Sequence, residues 1–357
     1  MNIETTTAPR DDGMVIRVHE GETPSPIAIE VTRGGMVESV HRAIAVISDA
    51  KGGIIKAWGA VDRPIFARSA IKPLQTMVVI ETGAADNYCL GEDEIALCCA
   101  SHHGEQIHVD RVVSWLRRLG LGISDLECGP QLPTDEVSAH ALIRLGAAPT
   151  RAHNNCSGKH SGMLTTAIHM GEPVVGYTLP DHPVQKRLVA LMQDLGEVDL
   201  TGTARGLDGC GIPVFGAPLK SIALAMAKLA DPSGQSESRQ AVCHRIIKAC
   251  ASNPLMLSGT NAFNSLVLAE TGENCLLKGG AEGVYTAAIP KQGLGICIKV
   301  DDGGGRASSA LILALLRHLG VVDEMAAERI ETTVVRDVRN WAGTLVGEIR
   351  PSAWVSF

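Results

Sequence analysis

The sequence lacks the features that mark membrane and secreted proteins. Its 357 residues contain no uncharged apolar run long enough to span a bilayer, and residues 1–21 are polar and charged, without the apolar segment of a signal peptide. We therefore expect a cytoplasmic protein that has no membrane partner.

Basic runs and basic stretches interleaved with aromatic residues are also absent. Aromatic residues make up 3% of the chain, and 32 Lys plus Arg face 39 Asp plus Glu, which gives a net charge of -7. Binding to nucleic acid depends on a basic surface that neutralises phosphates. The composition therefore argues against a nucleic-acid partner.

Internal repeats, coiled-coil heptads, C-x-x-C pairs and the G-x-S-x-G elbow are missing as well. The absence of repeats and heptads argues against a structural or interaction module. Without a G-x-S-x-G elbow, a Ser-His-Asp triad is a weaker candidate than a Ser/Lys site. Thiols stay reduced in the cytoplasm, so the ten cysteines are expected to be core residues, metal ligands or reactive groups and not disulfides.

The sequence does contain enough apolar residues for a large core, because 45% of the chain is hydrophobic. We expect a mobile tail over residues 1–22 and one catalytic domain over residues 23–357. Residues 23–70 and 262–357 would form a sheet lobe, and residues 71–261 would form a helical lobe.

Periodicity places strands at both ends of the domain and helices between them. Strands are predicted at residues 27–31, 40–47, 54–58, 265–268, 275–278, 283–289 and 295–300, and helices follow from Ala307 and Glu324. The pattern predicts an α+β fold, a mostly antiparallel sheet flanked by terminal helices with an inserted helical lobe and a cleft between the lobes.

The first chemical signal is the S-x-x-K motif Arg68-Ser-Ala-Ile-Lys72, which stands where a predicted helix begins. Pro73 supports that placement, because proline is tolerated in the first helical turn. A buried, neutral Lys72 could take the proton of the Ser69 hydroxyl. The motif is short, however, and Ser48-Asp-Ala-Lys51 in a predicted hairpin turn also matches it.

Two later segments extend this signal. Ser101-His-His-Gly-Glu follows an apolar run, and Lys278-Gly-Gly lies on a late predicted strand. Their order is that of the serine acylases, in which S-x-x-K, a second serine motif and K-T-G line one cleft. Gly279 stands here in place of the K-T-G hydroxyl, which makes a β-lactam substrate less suitable and indicates a different arrangement for the substrate carboxylate.

The second chemical signal is a pair of cysteines in glycine-flanked loops, Cys156 and Cys210. Such cysteines are poor core fillers, and two thiolates could hold zinc. Spacing leaves the next ligand open among Lys159, His160, His153 and Asp208, and a free thiol or a loop contact is the simpler interpretation.

Five segments in one order resemble the rhizobial-type, third-class L-asparaginases of the asparaginase II family. They begin at Arg68, Ala100, His153, Leu207 and Lys278: RSAIKPLQ, ASHHGE, HNNCSGKH, LDGCG and KGGAEG. The resemblance implies a serine-β-lactamase-like fold, a homodimer, and hydrolysis of L-asparagine to L-aspartate and ammonia.

The resemblance also assigns residues. Ser69 matches the nucleophile and Lys72 its partner, while Ser101 and Lys278 match the second Ser/Lys pair. Zinc, one ion per chain, would be held by Cys156, Lys159 and Cys210. Asp208 matches a residue near the substrate, with Arg68 and Asn154 from the same motifs as further substrate-binding candidates.

Two alternatives to an asparaginase follow from the same residues. A glutaminase, or another serine amidase or peptidase of this fold, would differ in pocket size, where one methylene changes binding by about 1–3 kcal/mol. A non-catalytic ligand-binding protein would instead tolerate Ser69→Ala without any loss.

Overall fold

The computed structural model describes residues 25–331 and 337–353. The predicted tail, residues 1–22, lies outside them. The described strands are β1 Ile27–Arg33, β2 Met36–Asp49, β3 Ile54–Trp58, β4 Pro64–Phe66, β5 Arg205–Leu207, β6 Pro213–Pro218, β7 Leu276–Gly280, β8 Val284–Ile289, β9 Leu294–Val300, β10 Asp337–Arg339 and β11 Leu345–Pro351.

The main sheet has the strand order β10-β11-β1-β2-β9-β8-β7, and β3 pairs with β2 on the side opposite β9. Its strand pairs are antiparallel. Strands from both ends of the chain therefore meet in one sheet, as the sequence predicts, and β7 ends the order beside β8.

Most helices lie in the middle of the chain, between β4 and β7. The described helices are α1 Lys72–Glu81, α2 Ala84–Asn87, α3 Glu92–Cys98, α4 Gln106–Arg118, α5 Glu136–Arg144, α6 Ser157–His169, α7 Pro183–Gly196, α8 Leu219–Ala230, α9 Glu237–Ser252, α10 Pro254–Leu257, α11 Phe263–Thr271, α12 Gly305–His318 and α13 Glu324–Glu331. Helices α12 and α13 follow β9. The predicted α+β fold, with an antiparallel sheet, terminal helices and an inserted helical segment, is confirmed.

Two helices cover the main sheet. A Cβ at Gly295 would lie 2.1 Å from the carbonyl oxygen of Ala223, so this glycine lets α8 approach β9 closely. Gly295 pairs with Ala288, and Ala288 pairs with Leu276, so these residues share one face of the sheet. Lys278, two residues after Leu276, lies on this same face, which α8 covers. Tyr285 on β8 lies beside Ser309 of α12 and pairs with Gly279, which puts α12 on the other face.

Three parts of the sequence interpretation need correction. Residues 265–268 form part of helix α11 and not a strand, because a short apolar run fits a buried helix as well as a strand. Strands β5 and β6 lie within the region assigned to helices and form a small sheet with β4, in the order β4-β6-β5. Strands β10 and β11 were missed.

The missed strand β11 pairs with β1. It depends on Gly347, where a Cβ would lie 1.8 Å from the carbonyl oxygen of Thr32. Glycine is a weak strand former, so the local pattern hides a strand that long-range contact requires. The division into lobes at residues 70 and 262 remains a prediction.

In the described part of the chain, none of the helices has both the length and the apolar character required to cross a membrane.

Candidate active site

A cavity of about 500 Å³ lies between β7, the turn before α1, the loop before α6 and the start of α12. It gathers most of the candidate residues that the sequence indicates. Those that line it are Arg68, Ser69, Ser101, Asn154, Cys156, Asp208, Cys210 and Lys278. The remaining two, Lys72 and Lys159, are buried beside it and contact Ser101 and Cys210.

Ser69 lies in a 3-10 turn, Arg68–Ile71, directly before α1. Residues three apart eclipse each other in such a turn, which is why S-x-x-K places both groups on one side. Strand β7 approaches this turn closely, because a Cβ at Gly280 would lie 2.8 Å from the carbonyl oxygen of Ala67. The second glycine of Lys278-Gly-Gly thus lets β7 pack against the turn that carries Ser69.

The Ser101 hydroxyl accepts hydrogen bonds from two lysines. Lys278 Nζ lies 2.8 Å from Ser101 Oγ and Lys72 Nζ lies 3.0 Å from it, and both lysines are fully buried. Lys72 also donates to the Ala100 carbonyl and Lys278 to the Gly279 carbonyl. The Ser101/Lys278 contact agrees with the predicted pair, and the bond from Lys72 to Ser101 is a link that spacing did not indicate.

Burial, followed by the neighbouring charge of Lys72, holds the pKa of Lys278 well below its usual range. A cation without a counter-ion is costly in a medium of low dielectric, so the amine loses its proton. Lys278 is therefore a buried base at hydrogen-bond distance from a hydroxyl.

The two loop cysteines meet at the same cavity. Lys159 Nζ lies 3.0 Å from Cys210 Sγ, and Cys156, Lys159 and Cys210 are each 4% exposed. A hydrogen bond from Cys210 and the charge of Lys159 lower the pKa of Cys156 against the effect of burial. Burial opposes the charge of Lys159 too, yet the two thiols raise the pKa of that amine.

Of the four candidate third ligands, Lys159 is the one seen in contact with a cysteine. His160 Nδ1 lies 2.6 Å from the Tyr177 hydroxyl, and His153 Nδ1 lies 2.9 Å from the Thr150 hydroxyl. The described residues contain no group of three His, Cys, Asp or Glu side chains suited to a metal. Two thiols and one amine nevertheless fit zinc, which accepts sulfur and nitrogen ligands.

Asp208 and Arg68 form an ion pair at the cavity, with Arg68 Nη2 2.6 Å from Asp208 Oδ1. Burial would raise the pKa of Asp208, but the hydrogen bond from Arg68 and the charge of Lys159 outweigh it and lower that pKa. Arg68 adopts a left-handed φ of 51°, which non-glycine residues rarely do and which often marks a functional site.

Asn154 holds the cysteine loop in place. Its Nδ2 donates to the Gly129 carbonyl at 2.8 Å, and its Oδ1 accepts from the Cys156 N–H at 2.9 Å. This buried amide therefore fixes the position of Cys156, whatever contact it makes with a ligand.

Several cavity residues were not selected from the sequence: His103, Gln131, Ser258, Asn264, Tyr285 and Ser309. Asn264 Oδ1 is buried and has no hydrogen-bond partner among the described residues. His103 lies in a motif that was quoted, but the others come from segments without a chemical signature, and only tertiary contact brings them here.

A family model described as L-asparaginase II matches residues 29–351. No curated protein matches the chain by sequence.

Solved structures show a weaker similarity. A β-lactamase from Mycobacterium bovis has 14% identity and a TM-score of 0.40, with 77% of this chain and 94% of that one covered. A β-lactamase from Sphaerobacter thermophilus has 14% identity and a TM-score of 0.41 over 79% and 93%. A mutant simvastatin synthase from Aspergillus terreus has 12% identity and a TM-score of 0.37 over 81% and 91%. At such identities and TM-scores these similarities carry no argument about this chain.

Proposed function

The chain belongs to the L-asparaginase II family, and on that premise we propose that it hydrolyses the side-chain amide of L-asparagine to L-aspartate and ammonia. The observation that carries the proposal is the Ser101 hydroxyl, which two fully buried lysines bond inside the cavity that Ser69 lines. Amide hydrolysis needs a nucleophile and a base that exchange a proton at a site shielded from bulk water. This arrangement offers both groups.

In the first step the Ser69 oxygen attacks the amide carbon of the substrate. The proton on Lys72 moves to Ser101 as the Ser101 proton moves to neutral Lys278, which leaves Lys72 free to take the Ser69 proton. One proton thus passes from Ser69 to Lys278, and the last two transfers follow the contacts of Ser101 Oγ with Lys72 Nζ and Lys278 Nζ, with the Ser101 hydroxyl turned to donate to the neutral Lys278 amine. The lowered pKa of Lys278 supports its role as the acceptor.

In the second step the carbon–nitrogen bond breaks. The same path returns the proton to the departing nitrogen, so ammonia leaves and a β-aspartyl ester of Ser69 remains. Water then attacks the ester by the same relay: Lys72 passes its proton through Ser101 to neutral Lys278 and takes a proton from the water. The carbon–oxygen bond breaks, and the relay runs back to return a proton to Ser69. The products are L-aspartate and the free enzyme.

Zinc belongs to the proposal at the cysteine end of the cavity. Cys156, Lys159 and Cys210 would hold the ion. Zinc would supply a positive charge that polarises or orients substrate groups near Asp208. Without the ion, the Lys159 ammonium beside the thiols supplies a similar charge at the same place.

A homodimer in the cytoplasm completes the proposal. Both features come from the family resemblance and the composition, and analytical ultracentrifugation of the full chain tests the first of them.

Ammonia release from a panel of amides tests the reaction. We expect turnover of L-asparagine at least about tenfold above that of L-glutamine, since a hydrophobic pocket discriminates one methylene by roughly 10–200-fold. Preference for L-glutamine would assign a glutaminase, and release of free amino groups from a peptide, measured in a parallel assay, would assign a peptidase. Absence of ammonia from every amide would contradict the proposal.

A further inference from the structure

The first glycine of Lys278-Gly-Gly lies under an aromatic ring. Gly279 on β7 pairs directly with Tyr285 on β8. A Cβ at Gly279 would lie 2.8 Å from Tyr285 Cζ and 3.0 Å from Tyr285 Oη. The phenol therefore occupies the space that a side chain at residue 279 would need.

The Tyr285 ring is held from two sides. Phe263 packs edge-on against it, with the ring centroids 5.8 Å apart and the planes at 82°. Ser309 of α12 lies beside its hydroxyl, and burial raises the pKa of Tyr285 to about 12. The phenol thus keeps its proton at neutral pH and can donate it to an acceptor in the cavity.

The charges around the cavity favour an anion at this end. Asp208 is the single acidic side chain among the described residues that line it, and Arg68 already pairs with this carboxylate. Gly305, the first residue of α12, also lines the cavity, and no side chain caps that helix. Its first N–H groups therefore add positive potential beside Tyr285 and Ser309.

We propose that Tyr285, held by Ser309, binds the α-carboxylate of the amino-acid substrate. It supplies from the neighbouring strand the hydroxyl that Gly279 lacks after Lys278. Tyr285 would donate to a carboxylate oxygen while Ser309 donates to Tyr285 Oη. This inference rests on the proposed function, because it names the group that selects the substrate of that same site.

The matched pair Tyr285→Phe and wild type tests it with two substrates. L-asparagine carries the α-carboxylate, and 3-aminopropanamide is the same molecule without it. We expect Tyr285→Phe to raise KM for L-asparagine roughly 10- to 100-fold, the value of a hydrogen bond to a charged group, with kcat within about threefold. For 3-aminopropanamide, kcat/KM should stay within about twofold. An equal loss on both substrates, or an unchanged KM for L-asparagine, would overturn the proposal.

A hydroxyl exchange between the two strands gives a second test. Gly279→Thr alone should displace the phenol and raise KM for L-asparagine. In the Tyr285→Ala background, Gly279→Thr should lower KM at least about fivefold relative to Tyr285→Ala alone, because its own hydroxyl then fits. Gly279→Val in that background is the control, since valine has the shape of threonine without the hydroxyl. Equal rescue by valine would show that shape and not the hydroxyl matters.

Binding separates this inference from the proposed reaction. If wild type releases no ammonia from L-asparagine, the proposed function fails, but calorimetry with L-aspartate and with β-alanine still tests the carboxylate site. We expect Tyr285→Phe to weaken L-aspartate binding roughly 10- to 100-fold and β-alanine binding less than about threefold. Equal effects on the two ligands would contradict the role of Tyr285, whatever the enzyme hydrolyses.

Discussion

Each of two regions of one cavity has a buried lysine, and the neighbouring groups shift the pKa values of the two amines in opposite directions. Lys278 is fully buried beside Lys72 and hydroxyls, and its pKa falls well below the usual range. Lys159 is 4% exposed beside Cys156 and Cys210, and its pKa rises although burial opposes its charge. Depth of burial alone therefore does not decide the protonation state of a lysine here.

The opposite pKa shifts distinguish an end of the cavity with a neutral amine, which can act as a base, from an end with an ammonium ion. A neutral amine accepts a proton, whereas an ammonium next to a thiolate attracts anions or gives way to a metal. We accordingly assign proton transfer to the Ser101/Lys278 region and electrostatic or metal chemistry to the cysteine region.

The largest expected effect comes from Ser69→Ala. Loss of the nucleophile should lower turnover of L-asparagine by at least about 1,000-fold without a change in folding, since only a cavity hydroxyl is removed. Steady-state ammonia release measures it. Ser48→Ala is the matched control, because Ser48 belongs to the second S-x-x-K copy and donates to the Asp49 carbonyl at 3.0 Å. Activity of Ser69→Ala within tenfold of wild type would move the chemistry to another group.

The next effect concerns the link from Ser101 to Lys278. Ser101→Ala and Lys278→Met should each lower kcat roughly 100-fold, and the double variant should be little worse than either if the two act as one relay. Wild-type kcat should also fall as the pH drops through the lowered pKa of Lys278, because the protonated amine accepts no proton. Additive losses in the double variant would show that the two residues act independently.

A smaller effect is expected at the cysteines. Cys156→Ser combined with Cys210→Ser should remove the zinc that we expect at about one ion per chain, since thiolates dominate such a site. Lys159→Met should weaken zinc binding, whereas His160→Ala should not, because Lys159 Nζ is the group found beside a cysteine, 3.0 Å from Cys210 Sγ. Elemental analysis and competition with a chelator measure both. Reversed results for Lys159 and His160 would reassign the third ligand.

Much of the sheet was predictable because its strands are β-branched runs bounded by turn residues, as at Ile27–Arg33 and Ile54–Trp58. Strand β11 was not, because Gly347 weakens the local pattern and the strand exists through its close approach to Thr32. Helix α11 was taken for a strand since its apolar run carries no period that distinguishes the two.

The site divides in the same way. S-x-x-K spacing predicts that Ser69 and Lys72 share one side of the chain, because a 3-10 turn eclipses residues three apart, and the structure has such a turn at Arg68–Ile71. The contact of Lys72 with Ser101, the aromatic cover of Gly279 by Tyr285 and the Arg68–Asp208 pair join segments far apart in sequence. Such contacts depend on tertiary packing, and a single sequence carries no signal for them.

The smallest expected effect, a few degrees in melting temperature, tests the comparison of the two lysines directly. Both are replaced by methionine, which is apolar and of similar length, in protein freed of metal by a chelator. Lys278→Met should raise Tm by roughly 2–5 °C at pH 7, because the fold no longer needs to hold an amine that the unfolded chain protonates. The carbonyl and hydroxyl that it bonds lie at the cavity, where water can replace it. Lys159→Met should lower Tm by a similar amount, because it removes an ammonium that the thiols stabilise.

Raising the pH from 7 to 9 should change the effect of Lys278→Met and leave that of Lys159→Met unchanged. Between its lowered pKa and the unfolded value of about 10.4, Lys278 binds fewer protons in the fold than in the unfolded chain, so wild-type stability rises with pH and the gain from Lys278→Met shrinks at pH 9. The raised pKa of Lys159 means that its contribution is complete below about 10.4 and is lost as the pH rises through the folded pKa, so its replacement costs as much at pH 9 as at pH 7. Calorimetry at both pH values measures these differences. Shifts of the same sign for the two variants would show that burial, and not the neighbouring charges, sets the protonation of both amines.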